Sequence, residues 1–122
     1  MIEIGIRVDT EYLPDMSDLM HDRYVFAYHI TIQNRSPETV TLRRRYWEIT
    51  DAHGRLRTVE GTGVVGEQPC LAPGEIFEYS SSAILDAPWG KMSGRYLFEL
   101  TDGREVWAPI ATFPLKAEFT LQ

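Results

Sequence analysis

The stretch YVFAYHITIQN, from residue 24 to residue 34, is the clearest guide to the fold of this 122-residue chain. Every second residue is apolar, and Tyr24, Phe26, Tyr28, Ile30 and Ile32 share one parity. A period of two sends alternate side chains to opposite faces of an extended strand, so the pattern predicts a β-strand with one face in a core. The segment NRSPE that follows is rich in turn-forming residues and ends the strand.

The same alternation recurs on both sides of that stretch, and no window of 12 residues shows a helical stripe of apolar side chains. About seven short strands separated by turn formers predict an all-β fold, an antiparallel β-sandwich of the fibronectin type III or immunoglobulin-like class. No internal repeat or linker divides the sequence, so we expect one domain over residues 1–122. The expected strands lie near residues 2–8, 24–33, 39–49, 56–59, 75–85, 96–100 and 106–121.

The third strand carries an irregularity. Val40 and Leu42 have one parity, whereas Trp47 and Ile49 have the other. A shift of one residue exchanges the two faces of a strand, so a β-bulge is expected around residues 43–45. Residues 60–75 are predicted to form a long ordered loop with short extended pieces, and DAPWGKMSG (residues 86–94) a second connection.

Composition and charge exclude several classes of protein. A net charge of −6 disfavours general binding to nucleic acid or to anionic membranes. No apolar run approaches the roughly 20 residues that span a bilayer, so we expect no membrane insertion. The N-terminal residues alternate rather than forming the apolar segment of a signal peptide, and Cys70 is the only cysteine. Both features predict a cytoplasmic protein.

The segment EGTGVVGEQP contains Gly61, Gly63 and Gly66, which is the G-x-G-x-x-G spacing of a dinucleotide-binding loop. That loop requires a helix to begin within the motif, and Pro69 and Pro73 exclude one. Two interpretations are left. The glycines serve bulges and turns, or they direct successive N–H groups toward an anion such as pyrophosphate.

Three consecutive arginines, Arg43, Arg44 and Arg45, form a local basic cluster that Arg55 and Arg57 would reinforce across a predicted hairpin. Guanidinium groups match phosphate and carboxylate in a bidentate fork, so the cluster is a candidate anion site together with the glycines. The alternative is a solvated strand surface whose arginines pair with some of the 18 acidic residues.

Signs of catalysis or metal binding are weak. Neither a G-x-S-x-G elbow nor an H-E-x-x-H motif is present, and Cys70 is interpreted as a small apolar filler. The acidic residues and histidine of DMSDLMHDR match the spacing of no EF-hand loop or zinc motif. The sequence therefore predicts no catalytic residue, no metal ligand and no cofactor.

Three segments together resemble one known family. RYWEITDAHG (residues 45–54), GTGVVGEQPCLAPGEIFEYSS (61–81) and PWGKMSGRY (88–96) are similar to the ApaG family, also called CorD, and YVFAYHITIQN fits the same family. The resemblance covers nearly the whole chain. Ser82 stands where this family usually has glycine, and Ala111 where its C-terminal motif has proline. Matching positions beyond the three glycines are Trp47, Asp51, Gln68, Pro69, Phe77 and Tyr79.

The resemblance implies a fibronectin type III-like sandwich in a cytoplasmic protein linked to cobalt and magnesium resistance or efflux. It also implies that the glycine string is a candidate site for pyrophosphate-containing ligands. With no catalytic motif, the expected function is a non-catalytic module that binds a protein partner. The alternative is a pyrophosphate- or nucleotide-binding protein, phosphohydrolase activity being disfavoured, and the sequence leaves homo-oligomerisation open.

Overall fold

The computed structural model describes residues 1–117, and the fold of this part is all-β, as predicted. The helical content of these residues is two single 3-10 turns, Pro14–Met16 and Leu19–His21. The eight strands are β1 (Ile4–Tyr12), β2 (Tyr24–Asn34), β3 (Val40–Asp51), β4 (Leu56–Thr62), β5 (Cys70–Leu71), β6 (Ile76–Leu85), β7 (Trp89–Leu100) and β8 (Glu105–Lys116).

The strands form two antiparallel sheets. One has the order β1-β2-β6, and the other has the order β4-β3-β7-β8, with the short β5 paired to the first residues of β3. A three-stranded sheet packed on a four-stranded sheet in this order is a fibronectin type III-like sandwich. The fold class predicted from the alternating pattern is therefore confirmed.

The core lies between the sheets and is rich in aromatic residues. The indole of Trp47 packs edge-on against Tyr28 of the opposite sheet, with ring centroids 5.5 Å apart, and against Phe113 at 5.9 Å. Tyr79 on β6 and Tyr96 on β7 place their hydroxyl oxygens 2.5 Å apart in a hydrogen bond that joins the two sheets inside the core. Burial raises the pKa of both phenols, so they stay neutral and hydrogen-bonded.

The structure confirms one expectation about the strands and contradicts another. The register of β3 against β7 shifts between Leu42 and Arg44, which confirms the bulge. The prediction that residues 86–94 form a connection is wrong, because β7 begins at Trp89. A second register shift, between Met92 and Gly94, interrupts the alternation that would have revealed this strand. The expected apolar alternation at Phe119 and Leu121 lies outside the described residues.

The two lateral sides of the sandwich differ. Strands β1 and β8 contact each other and bring the sheets together on one side. On the other side, β4 and β6 are linked by a side chain, Arg57, whose Nη2 donates to the carbonyl oxygen of Ile84 at 2.6 Å. The space between these two strands forms a groove that opens to solvent. None of the helical segments in residues 1–117 has the length or apolar character that a bilayer-spanning helix requires.

Candidate functional site

The glycine segment folds into a tight turn at the end of β4. The N–H of Val64 donates to the carbonyl of Glu67 at 2.8 Å, and the N–H of Glu67 donates back at 2.8 Å. The two residues between them, Val65 and Gly66, have φ values of 42° and 81°. Two successive positive φ angles inside a reciprocal hydrogen-bonded pair are typical of a type I′ turn. The motif therefore ends in a two-residue hairpin turn.

Gly61 and Gly63, the two earlier glycines of the motif, are each required by a different steric contact. Gly63 has a φ of 63°, and a Cβ at this position would overlap the carbonyl oxygen of Glu67. Gly61 lies within β4, where a Cβ would stand 2.9 Å from Nη2 of Arg45. The first glycine of the motif thus makes room for a guanidinium group, and the second permits the turn.

The backbone donors of this segment are already engaged by the protein itself. The N–H of Gly63 donates to the carbonyl of Arg43 at 2.7 Å, and Gly61 pairs with Arg45 in the β3–β4 ladder. An anion at this loop would have to be bound by the remaining donors of the turn or by side chains. The pyrophosphate site at Gly61, Gly63 and Gly66 stays a prediction.

The bulge in β3 sends the three arginines in different directions. Arg43 Nη2 lies 2.8 Å from Oε1 of Glu99, and its Nη1 donates to the side-chain amide oxygen of Gln68 at 3.0 Å. Arg44 is exposed and, within residues 1–117, forms no ion pair. Arg45 points to the opposite side of the sheet, toward the core. The arginines predicted as one basic cluster are therefore separated, and Arg43 follows the alternative in which a carboxylate balances its charge.

The groove between β4 and β6 receives Arg45 and Arg57. Arg45 Nη1 donates to the carbonyl oxygens of Thr62 at 3.1 Å and Gly63 at 3.0 Å, and Arg57 donates to Ile84. A cavity of about 340 Å³ lies between these guanidinium groups. Its floor consists of buried core side chains, and its rim includes two serines; the residues concerned are Tyr28, Trp47, Met92, Ser81 and Ser82.

A second cavity, of about 590 Å³, continues the groove past Arg57. Here Arg55 lies 3.0 Å from Asp51 and 2.6 Å from Asp86, so its charge is balanced. Burial alone would raise the pKa of Asp51. The backbone N–H groups of Arg55 and His53, with the charge of Arg55, outweigh that effect and lower the pKa below its usual range. This end of the groove is a network of paired charges that closes the β3–β4 hairpin.

Strand β6 borders the groove with an unpaired edge. The carbonyl of Glu75 accepts from Asn34 of β2, whereas that of Ile84 accepts from Arg57 on the other side. Backbone groups alternate in direction along a strand, so Glu78, Ser80, Ser82 and Ile84 direct their N–H and C=O groups away from β2. Within residues 1–117, β2 is the only strand that pairs with β6.

One combination of side chains suggestive of catalysis appears on the outer face of the three-stranded sheet. His29 Nδ1 lies 2.8 Å from the hydroxyl of Ser80, and its Nε2 lies 3.4 Å from a carboxylate oxygen of Glu78. All three side chains are solvent-accessible, and none of them lines the described cavities. An activated serine would also need donors for an oxyanion, and the flat sheet face offers none. The trio is a cross-strand hydrogen-bond network.

The residues considered for metal binding or as an apolar filler in the sequence also have defined positions in the structure. His21 and Asp18 form an exposed pair, with Nδ1 and Oδ2 2.6 Å apart. No group of three or more His, Cys, Asp or Glu side chains in the described chain could hold a metal ion. The prediction that Cys70 fills an apolar space is wrong: its side chain is exposed, and the next residue of β5, Leu71, is buried instead.

Sequence reasoning did not foresee the groove. Arg45 and Arg57 lie on the two strands of the predicted β3–β4 hairpin, but Ser81 lies on β6 of the other sheet, so the cavity depends on how the two sheets stack. A weak signal existed in β4, where Leu56 and Val59 are apolar residues in an otherwise polar strand. Leu56 is 59% exposed and lines the larger cavity, and Val59 is 40% exposed and lines the smaller one.

Comparison with known proteins gives a consistent result. Residues 14–100 match the family model described as the ApaG domain. Protein ApaG of Parvibaculum lavamentivorans is 53% identical over 112 residues, which cover 92% of this chain and 86% of that protein. Protein ApaG of Thiobacillus denitrificans is 50% identical over 113 residues, covering 93% and 89%. A crystal structure named for an ApaA protein of Bordetella pertussis superposes with a TM-score of 0.93 at 40% identity, over 98% of this chain and 97% of that one.

Proposed function

The chain belongs to the ApaG domain family, and from this premise we propose that it is a non-catalytic interaction module that binds a protein partner along the open edge of β6. The single observation that carries the proposal is the segment SSSAIL (residues 80–85) of that strand. It contains no charged residue and no proline, and alternate backbone N–H and C=O groups point away from β2.

Open strand edges are usually protected, because unpaired backbone groups attract other strands. The other edge strands of the two sheets have such protection. Strand β1 carries Arg7, Asp9 and Glu11, β8 contains Pro109 and Pro114, and β4 carries Arg57 and Glu60. Strand β6 carries Glu78, but its residues 80–85 have neither a charge nor a proline. This contrast supports an edge that stays available for a strand contributed by a partner, as in recognition by strand addition.

The resemblance of the sequence supplies the setting of the proposal, a cytoplasmic protein acting in cobalt and magnesium homeostasis. The described cavities contain no paired acid and base positioned around a reacting atom, which supports a binding role over a catalytic one.

A photo-crosslinking experiment tests the docking site. A benzophenone amino acid is placed at Ser82 on β6 or, as the matched control, at Thr112 on β8, which also lies on an edge strand. We expect position 82 alone to give a discrete crosslinked protein, which mass spectrometry then identifies. Equal products from both positions, or none from position 82, would contradict the proposal.

Once the partner is known, two variants separate backbone recognition from side-chain recognition. Ser82→Pro removes an N–H that points away from β2 and leaves the β2–β6 ladder intact, whereas Ser82→Ala removes only the hydroxyl. We expect the partner to lose at least tenfold in affinity for Ser82→Pro and to bind Ser82→Ala normally. In cells lacking the protein, Ser82→Ala should restore growth at inhibitory cobalt concentrations and Ser82→Pro should not.

The glycine loop provides the second candidate function, a pyrophosphate or nucleotide site. The observation in its favour is Arg44, an exposed guanidinium without an ion-pair partner in the described residues, opposite Thr62 at the end of β4. Titration with pyrophosphate, ATP and diadenosine tetraphosphate, with and without Mg²⁺, tests it by NMR. Saturable shifts at Gly61, Gly63 and Gly66 are expected, and unchanged signals at all three would end this alternative.

A further inference from the structure

The cavity between Arg45 and Arg57 has an unusual balance of charge. Its lining residues include these two arginines and no acidic side chain, although the chain carries 18 acidic residues and a net charge of −6. Among residues 1–117, neither guanidinium has a carboxylate within ion-pair distance. Both donate to backbone carbonyl oxygens, which are neutral. The positive charge of the cavity is therefore uncompensated.

Each of the two guanidinium groups also has N–H donors that form no hydrogen bond within residues 1–117. An arginine has five N–H donors, and the hydrogen bonds of Arg45 use Nη1 while that of Arg57 uses Nη2. The remaining N–H groups can form the paired contacts by which guanidinium binds a carboxylate or phosphate. Arg45 is held in position by the Thr62 and Gly63 carbonyls and by the space that Gly61 leaves for it. The site is thus organised before any ligand arrives.

The rest of the cavity is suited to an apolar group. Trp47, Tyr28 and Met92 form a floor that is at most 6% exposed, and Val59 and Ile84 lie at the rim, each 40% exposed. A volume of about 340 Å³ is at the lower end of small-ligand cavities, which range over roughly 300–1,000 Å³. Ser81, on the inward face of β6 next to Tyr28, adds a hydroxyl group to the lining. A small ligand would meet a charged wall on one side and aromatic and aliphatic surface below.

The neighbouring cavity provides an internal contrast. It is larger and shares Arg57 with the first cavity, but its other arginines, Arg23 and Arg55, lie among Asp22, Asp51 and Asp86 in the same lining. The attraction for an anion is therefore concentrated at the end of the groove that contains Arg45.

We propose that the cavity between β3, β4 and β6 binds a small molecule with an oxyanion group, carboxylate or phosphate, on an apolar body. The oxyanion contacts the free donors of Arg57, Arg45 adds positive charge farther along the same cavity, and the apolar body rests on Trp47 and Met92. This site is separate from the glycine turn, but one of its walls is formed by residues 81–84 of β6, the edge to which the proposed partner strand would add.

The probes for the test are phenyl phosphate and phenylacetate, with phenol and inorganic phosphate as partial ligands, each titrated into the ¹⁵N-labelled full chain. We expect saturable shifts at the Trp47 indole, Ser81, Ser82 and the Arg57 side chain. Each complete probe should bind at least tenfold more tightly than phenol and inorganic phosphate. The tighter of the two complete probes identifies the oxyanion.

Variants identify the guanidinium that carries the binding. Arg57→Gln keeps a polar exposed side chain and should weaken both complete probes at least tenfold. Arg7→Gln makes the same charge change on the exposed surface of β1, outside the cavities and the glycine turn, and should leave binding unchanged. The unliganded spectrum of Arg57→Gln verifies that the variant is folded.

Three results would overturn the proposal. The first is equal affinity of the wild-type chain and Arg57→Gln. The second is a set of shifts confined to Arg44 and residues 61–66, which would indicate anion binding at the glycine turn. The third is the absence of any saturable change up to about 10 mM probe, a concentration at which even weak ligands are bound. Each result is read independently of whether a protein partner binds β6.

Discussion

The glycine turn and the groove between β4 and β6 use arginines that are two residues apart on β3, yet they balance the charge of these arginines differently. Beside the turn, Arg43 lies against the carboxylate of Glu99. In the groove, Arg45 donates to the carbonyls of Thr62 and Gly63. An ion pair cancels the charge of a guanidinium, whereas a carbonyl orients the group and leaves its charge in place. The difference supports a structural role for the turn and our proposal that the groove binds an anion.

The largest expected effect is on the turn. Gly63→Ala places a side chain at φ 63° and against the Glu67 carbonyl, so the turn must open. We expect a loss of about 3 kcal/mol in the free energy of unfolding, from the strained φ and the broken hydrogen bonds. Urea denaturation measures it. The control is Gly66→Ala, which has a φ of 81° but open space around the added methyl group and should cost about 1 kcal/mol. An equal loss of unfolding free energy in Gly63→Ala and Gly66→Ala would show that the contact with the Glu67 carbonyl is unimportant.

Gly61→Ala tests the link between the two regions. The new methyl group would lie 2.9 Å from the Arg45 guanidinium, which can move because it is the end of a flexible side chain. We expect a loss of about 1 kcal/mol in unfolding free energy together with weaker binding of phenyl phosphate in the groove.

A double-mutant cycle with Arg45→Ala provides the control for this variant. If the cost of Gly61→Ala arises from displaced guanidinium, it should nearly vanish in the Arg45→Ala background. A full cost in both backgrounds would assign it to the β4 backbone and separate the two regions.

Arg43→Gln should have a smaller effect. The Arg43 and Glu99 side chains are 41% and 35% exposed, so their ion pair is screened by solvent and is worth about 0.5 kcal/mol. The loss should shrink in high salt, and Glu99→Gln should match it. Binding of phenyl phosphate should be unchanged, in contrast to Arg57→Gln. If Arg43→Gln weakens the binding of phenyl phosphate, the electrostatic field of Arg43 would extend from the glycine turn to the groove.

The smallest expected effect concerns the charge-balanced end of the groove. The pKa of Asp51 is lowered in the folded protein, so its carboxylate stabilises the fold fully above its unfolded pKa, about 3.9, and loses this contribution as the pH falls through the folded pKa. The difference in melting temperature between the wild-type chain and Asp51→Asn should therefore be largest near neutral pH and shrink on acidification. A difference that grows toward low pH would contradict this assignment.

Much of the fold could be predicted from the sequence because most strands show an alternation of apolar and polar residues. The alternation in β2 requires one buried face, and the parity change between Leu42 and Trp47 correctly located a bulge. Strand β7 was missed at its start because its own irregularity, at Met92 and Gly94, disrupts the same rule. The position of each strand therefore follows from local pattern wherever the pattern is unbroken.

The groove could not be predicted in this way. Whether an arginine faces a carboxylate, a carbonyl or an open cavity depends on the stacking of two sheets and on the bulge, which places Arg45 on the opposite side of the sheet from Arg43. The glycine motif shows the same limit. Its spacing is that of a nucleotide loop, but Gly61 is required by a side chain on the neighbouring strand, a contact that spacing alone does not encode.

The hydrogen bond between Tyr79 and Tyr96 joins β6, which borders the groove, to β7 of the opposite sheet. It is a polar contact between the sheets in an interior formed mostly by apolar side chains, and apolar layers alone could slide past one another with little loss of contact. A directional bond at that depth holds the layers in one alignment. Because β6 also borders the groove, this bond constrains one wall of the site from inside the protein, through two tyrosines that do not line it.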